Sequence, residues 1–310
     1  MLMNSEEETR LTRALLIGGT GFVGGHLQRH LLGAGLEVGV HGDSVDVRNA
    51  GEMQRLISAE RPDAVIHLAA VSSVPESLKN PRETYEINFF GTLNVLLALK
   101  ASNFRGRLLY IGSGDVYGLL GDRDLPVTED RPLKPKNPYA VSKVAAEALC
   151  YQWSHSAEFQ IIMARPFNHI GPGQSERFAL SDFARQIVEI KLGRRPAVLR
   201  VGDIDVTRDF TDVRDVVRAY GLLLEKGKNG EAYNVCSGRE QSIRSLLLRL
   251  MSIAGIDAEI EQDRDRFRPS EQRRVFGSFE KLGRDTGWMP AIPLEQTLRD
   301  ILDDWRMKLI

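Results

Sequence analysis

The chain has 310 residues, enough for one large or two modest domains with a substantial core, and its 41 basic and 42 acidic side chains nearly cancel. That balance gives no general pull toward nucleic acid or an anionic membrane, and no apolar run approaches the roughly 20 residues of a membrane span. Cys150 and Cys236 are the only cysteines and have no ligand-like spacing, so reduced structural thiols, a cytoplasmic location and no metal site are expected.

Met1 to Thr12 carries Glu6-Glu7-Glu8 without the apolar core of a signal peptide, and is expected to be a flexible tail. From there strands and helices alternate. A short apolar strand at Ala14–Ile17 leads through glycines into a helix from Phe22 to Leu32. Strands follow at Leu36–Val40, Ala64–His67, Leu108–Ile111 and Gln160–Ala164, with helices at Asn49–Ala59, Pro81–Ser102 and Pro138–Ser156. Such alternation predicts a doubly wound parallel α/β sheet of Rossmann type with right-handed crossovers. After Pro166 the rhythm loosens into Gly/Pro-rich and Arg-rich stretches. A helix at Val213–Leu224 and a strand at Ala232–Val235 then return the chain to the sheet. The expected division is therefore interleaved. Residues 13–167 with about 209–237 would form the dinucleotide-binding part, and 168–208 with 238–310 a smaller α/β substrate-binding part.

Gly18, Gly21 and Gly24 lie between the first strand and its helix, a G-x-x-G-x-x-G spacing. The first glycine permits a tight turn, the second lets backbone approach a pyrophosphate, and the third lets helix and strand pack closely. The helix N-terminus adds free N–H groups and the positive end of its dipole. An acidic residue for the adenosine ribose is expected about 20 residues past this loop, and Asp43 is near that place, although His41-Gly42 blurs the register.

Farther along, Tyr139 and Lys143 are four apart on one helix and so point the same way. A Lys ammonium beside a phenol is expected to lower the phenol pKa from its usual value near 10, letting the Tyr exchange a proton with a substrate oxygen. Ser113 can hold that oxygen. Alone, the pair would read as a solvated helix face; with the glycine loop upstream it reads as hydride-transfer chemistry.

These residues resemble the extended short-chain dehydrogenase/reductases that act on nucleotide sugars. The resemblance covers nearly the whole chain. It is carried by Gly18–Gly24, His67-Leu68-Ala69-Ala70, Asn88-Phe89-Phe90-Gly91-Thr92, Ile111–Gly118 and Tyr139–Lys143. It implies cofactor contacts from Gly18, Thr20, Gly21, Phe22, Val23, Gly24, Asp43, Asp46, Val47, Arg48, Leu68, Ala69 and Ala70. Tyr139 and Lys143 join them, and His67 lines the cofactor rather than acting in catalysis. Ser113, Tyr139 and Lys143 are the implied catalytic residues, and Asn88 is implied to steady the central sheet. Arg48 either meets a 2′-phosphate or is solvated; NADP(H) is favoured, with NAD(H) open.

Arg165–Gln174 and Val201–Phe210 look like segments of members that handle GDP-mannose derivatives, and Arg268-Pro269-Ser270-Glu271 resembles a nucleotide clamp. The resemblance places Asn168, Arg208 and Arg268 on the diphosphate or ribose and Glu271 on the ribose. Guanidinium forks suit phosphate. Surface ion pairing is the plainer reading. Dehydratases of this family carry an Asp-Glu pair before Val-Tyr-Gly; here it is Gly114-Asp115. Asp115 orients substrate hydroxyls, acts as a weak base, or caps its loop. The implied activity is reduction of the C4 ketone of GDP-4-keto-6-deoxy-D-mannose to give GDP-D-rhamnose. A nucleotide-sugar 4-epimerase or GDP-mannose 4,6-dehydratase remains the alternative. A non-catalytic dinucleotide-binding regulator is disfavoured, because Ser113, Tyr139 and Lys143 are all present. Leu93, Leu96, Ala145, Ala148 and Leu149 suggest spare apolar surface on helices 81–102 and 138–156. Related enzymes pair these helices in a homodimer; cover by flanking loops is the other reading.

Overall fold

The computed structural model describes residues 11–42, 45–263 and 272–310. The first half runs β1 (Arg13–Ile17), α1 (Phe22–Gly33), β2 (Glu37–His41), α2 (Ala50–Glu60), β3 (Ala64–His67), α3 (Val74–Lys79) and α4 (Pro81–Tyr85). It continues with α5 (Gly91–Ala101), β4 (Arg107–Ile111), α6 (Pro138–Ser154) and β5 (Gln160–Pro166). Then come β6 (Asn168–Ile170), α7 (Ala179–Lys191), β7 (Val198–Val201), β8 (Thr207–Asp212), α8 (Val213–Lys226) and β9 (Ala232–Val235). The chain closes with β10 (Glu240–Ser242), α9 (Ile243–Ala254), β11 (Glu259–Gln262), α10 (Glu280–Thr286) and α11 (Leu294–Leu309).

Six parallel strands form the main sheet in the order β2-β1-β3-β4-β5-β9, the doubly wound arrangement that the alternation predicts. Successive side chains of a strand point to opposite faces. In β1, Leu15 and Ile17 enter the core beneath α2, α5 and α6, while Ala14 and Leu16 enter the core beneath α1 and α8. Covered on both faces, such strands read as unbroken apolar runs rather than alternating ones. Leu282 of α10 and Trp288 beyond it also pack in the α1/α8 core.

The strand order reverses between β1 and β3, so their C-terminal ends open a crevice where ligands of such sheets bind. Backbone hydrogen bonds fix its walls. Gly18 N and Gly19 N donate to His41 O at 2.7 and 3.0 Å, and Leu68 N and Ala69 N donate to Ile17 O at 2.8 and 2.9 Å.

Three departures from the sequence expectations are informative. Strand β2 lies one residue later than Leu36–Val40. The single helix expected over Pro81–Ser102 is interrupted by a π-helical turn at Glu86–Phe90, closed by Gly91 N donating to Glu86 O. Such turns insert a residue and re-aim side chains, often at functional sites. Here the turn buries Asn88. The region after Pro166 is also more regular than its loop-like composition suggests. Helices α7, α9 and α11 close a separate core around Leu180, Phe183, Ile187, Leu246, Leu250, Ile301 and Trp305. This core lies beside a three-stranded sheet, β10-β8-β6, and a two-stranded one, β11-β7. No helix among the described residues is long and apolar enough to cross a membrane.

One buried ion pair joins α6 to β5. Arg165 donates to Glu147 through Nε (3.0 Å) and Nη2 (2.6 Å), and through Nη1 to Tyr117 Oη (2.8 Å) and Glu129 O (3.1 Å). Both partners are buried. Removing one charge strands the other in the interior. Glu147→Ala is therefore expected to destabilise the protein by about 3–5 kcal/mol, read as a lowered urea midpoint with an unchanged slope.

Candidate active site

The glycine loop is shaped by three different constraints. Gly18 has φ +78°, and a Cβ there would overlap Ala69 N, so the turn needs glycine twice over. A Cβ on Gly21 would meet no atom within 4 Å. Helix α1 starts immediately after it, with no side chain capping its first turn. Free N–H groups therefore face open space at the helix N-terminus, the kind of position that receives a diphosphate. A Cβ on Gly24 would overlap Gly19 O. The third glycine thus lets the helix lie on the loop itself rather than on the strand. Thr20 packs against Gly42, and Val23 against the α1/α8 core. Phe22 stacks on His169 at 6.2 Å between ring centres, linking the loop to β6.

At the adenosine end, Asp43 lies outside the described residues. Val47 turns its side chain into the α2/α5 core, and its carbonyl accepts from Asn94 Nδ2 at 2.9 Å. Arg48 pairs with Asp46 at 2.7 Å and approaches Glu83 at 3.5 Å. This guanidinium holds the Asp46 carboxyl below the usual carboxylate range. A 2′-phosphate would share Arg48 with Asp46.

The reaction centre is built on α6 and β4. Asn137 caps α6, accepting from Ala140 N at 2.8 Å, and Pro138 occupies its first turn. Tyr139 and Lys143 follow one turn apart, both buried. Ser113 lies two residues past the end of β4 and caps the short turn Gly114–Tyr117, its Oγ accepting from Asp115 N at 3.1 Å. The Ser113 side chain lies close enough to the Tyr139 phenol to oppose the rise in its pKa. Lys143 Nζ donates to Ile111 O at 2.8 Å and lies 6.0 Å from the Tyr139 ring centre.

The expected lowering of the phenol pKa does not occur in this arrangement. Burial raises Tyr139 above its ordinary value, the Asp115 charge adds to the rise, and Ser113 opposes it. Lys143 cannot reverse this, because its ammonium is engaged by Ile111 O and burial pushes it down to about 8. The outcome is a phenol that keeps its proton, as a proton donor must.

Asp115 is exposed to solvent, with protein packed close on its other sides. This desolvation raises its carboxyl, and the Arg208 guanidinium opposes the rise. The charge of Arg208 is thus felt at Asp115. Asn168 of β6 sits beside Phe210 of β8, so Asn168 and Arg208 share one face of the small sheet. Arg268 and Glu271 lie outside the described residues.

The supporting residues are specific. Asn88 accepts from Val71 N (2.8 Å) and donates to Val71 O (3.1 Å) and Ser142 Oγ (2.9 Å), tying the loop after β3 to the residue before Lys143. Leu68, Ala69 and Ala70 lie on that loop, half-buried. His67 is buried, with Nε2 3.1 Å from Thr92 Oγ1, and burial pushes its pKa down to about 3. It is neutral at physiological pH. Two residues escaped the sequence reading. The Phe167 ring lies against Gly114, where a Cβ would sit 3.1 Å from it. Asp209, fully buried, accepts from Ser237 N at 2.7 Å and Gly238 N at 3.0 Å. A buried Asp next to an arginine on an alternating strand was the available signal. Among the described residues no cluster of His, Cys, Asp or Glu could hold a metal ion.

Comparison with known proteins adds a family. A model of the family described as GDP-mannose 4,6 dehydratase matches residues 40–301. GDP-6-deoxy-D-mannose reductase of Pseudomonas aeruginosa is 48% identical over 305 residues, with 96% of this chain and 99% of the relative covered. A Pseudomonas aeruginosa structure complexed with NADPH has TM-score 0.90 at 48% identity, covering 96% of this chain and 99% of that one. The Thermus thermophilus UDP-glucose 4-epimerase in complex with NAD has TM-score 0.84 at 29% identity, covering 95% of this chain and 99% of that one.

The titrations set a pH dependence. Lys143 is charged below about 8 and neutral above it, whereas Tyr139 stays protonated through the same range. If the charged ammonium is the working form, kcat/KM falls as pH rises through about 8 and shows no acid limb from this pair. Initial rates across pH check this; a flat profile through that range contradicts it.

Proposed function

The chain belongs to the GDP-mannose 4,6-dehydratase family of the extended short-chain dehydrogenase/reductases, and we propose that it reduces the C4 ketone of GDP-4-keto-6-deoxy-D-mannose to give GDP-D-rhamnose. The observation that carries the reading is the placement of buried Tyr139 and Lys143 one turn apart on α6, with Lys143 Nζ anchored to Ile111 O two residues before Ser113. Reduction needs a proton donor at the oxygen of the ketone and little else from side chains. Gly114, packed under Phe167, brings no second carboxylate to the turn, so elimination chemistry has less support. The 48% identity to a GDP-6-deoxy-D-mannose reductase points the same way.

NADPH is the cofactor this reading favours, because a structure 48% identical to the chain is complexed with it. When bound it supplies the hydride delivered to C4. The cradle at Gly18–Gly24 would hold its diphosphate, Lys143 its nicotinamide ribose, and Asp46 and Arg48 would lie near the adenosine. Ser113 would hold the C4 oxygen while Tyr139 gives it a proton. Asn168 and Arg208 would meet the diphosphate or sugar of the substrate, and guanine is the favoured base. Residues 168–208 with 238–310 would form the sugar-nucleotide part around this site. Two buried free thiols, Cys150 and Cys236, suit a reducing compartment such as the cytoplasm.

A homodimer through helices 81–102 and 138–156 is part of the proposal. Leu96 turns out to be core, and Leu93, Ala145 and Leu149 are half-buried, but Ala148 is exposed. Phe90 and Leu97 beside α5, and Val141 and Tyr151 on α6, add further exposed apolar surface.

Three experiments test these readings. Tyr139→Phe is expected to keep NADPH affinity while NADPH oxidation with the ketosugar nucleotide drops by about a hundredfold or more. The parent should bind GDP about tenfold more tightly than UDP or dTDP. Equal affinity for UDP would favour the epimerase reading. In solution scattering the protein should show dimer mass, and Leu97→Glu should shift it toward monomer; a concentration-independent monomer mass in the parent rejects the dimer.

A further inference from the structure

The segment Gln272–Ser278 is inserted between two parts of the cleft. On one side it zips onto the chain that follows the catalytic turn. Leu120 N donates to Gln272 Oε1 at 2.7 Å, Gln272 Nε2 donates to Leu120 O at 3.1 Å, and Val127 N donates to Phe276 O at 3.0 Å. On the other side it lies along β8. Thr207 N donates to Arg273 O at 2.9 Å, and Arg273 Nη1 pairs with Asp203 at 2.6 Å. Arg274 spans both sides. Its Nε and Nη2 grip the two oxygens of Glu240, each at 2.8 Å, and its Nη1 reaches Asp122 at 2.7 Å.

The middle of the segment presses on the reaction centre. Gly277 N donates to the buried Asp209 carboxylate at 3.3 Å. A Cβ on Gly277 would lie 2.7 Å from the Phe167 ring, the same ring that lies against Gly114 between Ser113 and Asp115. Phe167 is thus clamped between this segment and the catalytic turn. Arg274 is close to half exposed, and ion pairs at that exposure contribute little to global stability. What its bidentate fork fixes is distance and orientation.

We propose that Gln272–Ser278 is a positioning strap, in which Gln272, Arg274 and Gly277 set the separation between the Ser113–Asp115 turn and the β8 strand that carries Arg208. This rests on the reductase reading, in which a sugar nucleotide bridges those two walls with its C4 oxygen at Tyr139. Small misplacements at such a site cost large factors in rate. The strap touches neither the glycine loop nor Lys143, so cofactor binding is outside its reach.

The experiment compares Arg274→Met, Arg274→Lys and Gln272→Leu with the parent enzyme. For the Met and Leu variants we expect NADPH affinity within about twofold of the parent and kcat/KM for the ketosugar nucleotide at least about tenfold lower. Arg274→Lys keeps the charge but can serve only one carboxylate, and should fall between parent and Met variant. A kcat/KM within about twofold of the parent in both Arg274→Met and Gln272→Leu overturns the strap, as does loss of NADPH affinity in parallel with turnover. A parent that turns over no ketosugar nucleotide sinks the reductase reading instead. The strap is then decided by GDP titration of the same variants, where unchanged affinity rejects it and a drop of about tenfold supports it.

Discussion

Lys143 is an ammonium with almost no water around it, and the Ile111 carbonyl at 2.8 Å is what keeps it there. An unpaired charge at that depth would be too costly to bury. The contact fixes the axial position of α6 against the end of β4, and with it the place of Tyr139 one turn earlier. It also brings Ser113, two residues past Ile111, to the phenol. Tyr139, Lys143 and Ser113 thus converge where one buried charge meets its carbonyl acceptor.

The same position is enforced from the other side of α6. Ser142 receives the Asn88 amide, and Asn88 can reach it only because the π-helical turn rotates that residue inward. Through Val71 the amide also holds the loop that carries Leu68, Ala69 and Ala70 beside the glycine turn. Cofactor cradle and reaction centre therefore share one polar tie, and a helix defect supplies it.

The second region bears on the centre through packing more than through charge. Phe167 leaves the last residues of β5 and lies over Gly114, held in place by Gly277. Asp209 gathers backbone N–H groups from Ser237, Gly238 and Gly277 into one buried point. That point is rigid because an ionised carboxylate in the interior needs several donors at once. Arg208, its neighbour in sequence, is near enough for its charge to act on Asp115.

Much of this was legible in the chain alone. The doubly wound sheet follows from apolar strands alternating with helices, the cradle from Gly18, Gly21 and Gly24, and the shared face of Tyr139 and Lys143 from helical period. Helix α7 was missed by the sequence reading, although Leu180, Phe183, Ala184, Ile187 and Val188 recur at helical spacing. Other facts depended on what lies nearby in space. Whether Lys143 lowers the Tyr139 pKa is set by burial and by the Ile111 carbonyl, and neither appears in a four-residue motif. The side chain of Val47 packs in the core close to Gly91, a placement that only the tertiary structure sets. The union of Gln272, Arg274, Glu240 and Asp122 is wholly a product of folding. Local period and turn chemistry act over a few residues and are written in the sequence. Desolvation and long-range pairing are set by the surroundings of a group, and only the folded chain supplies those.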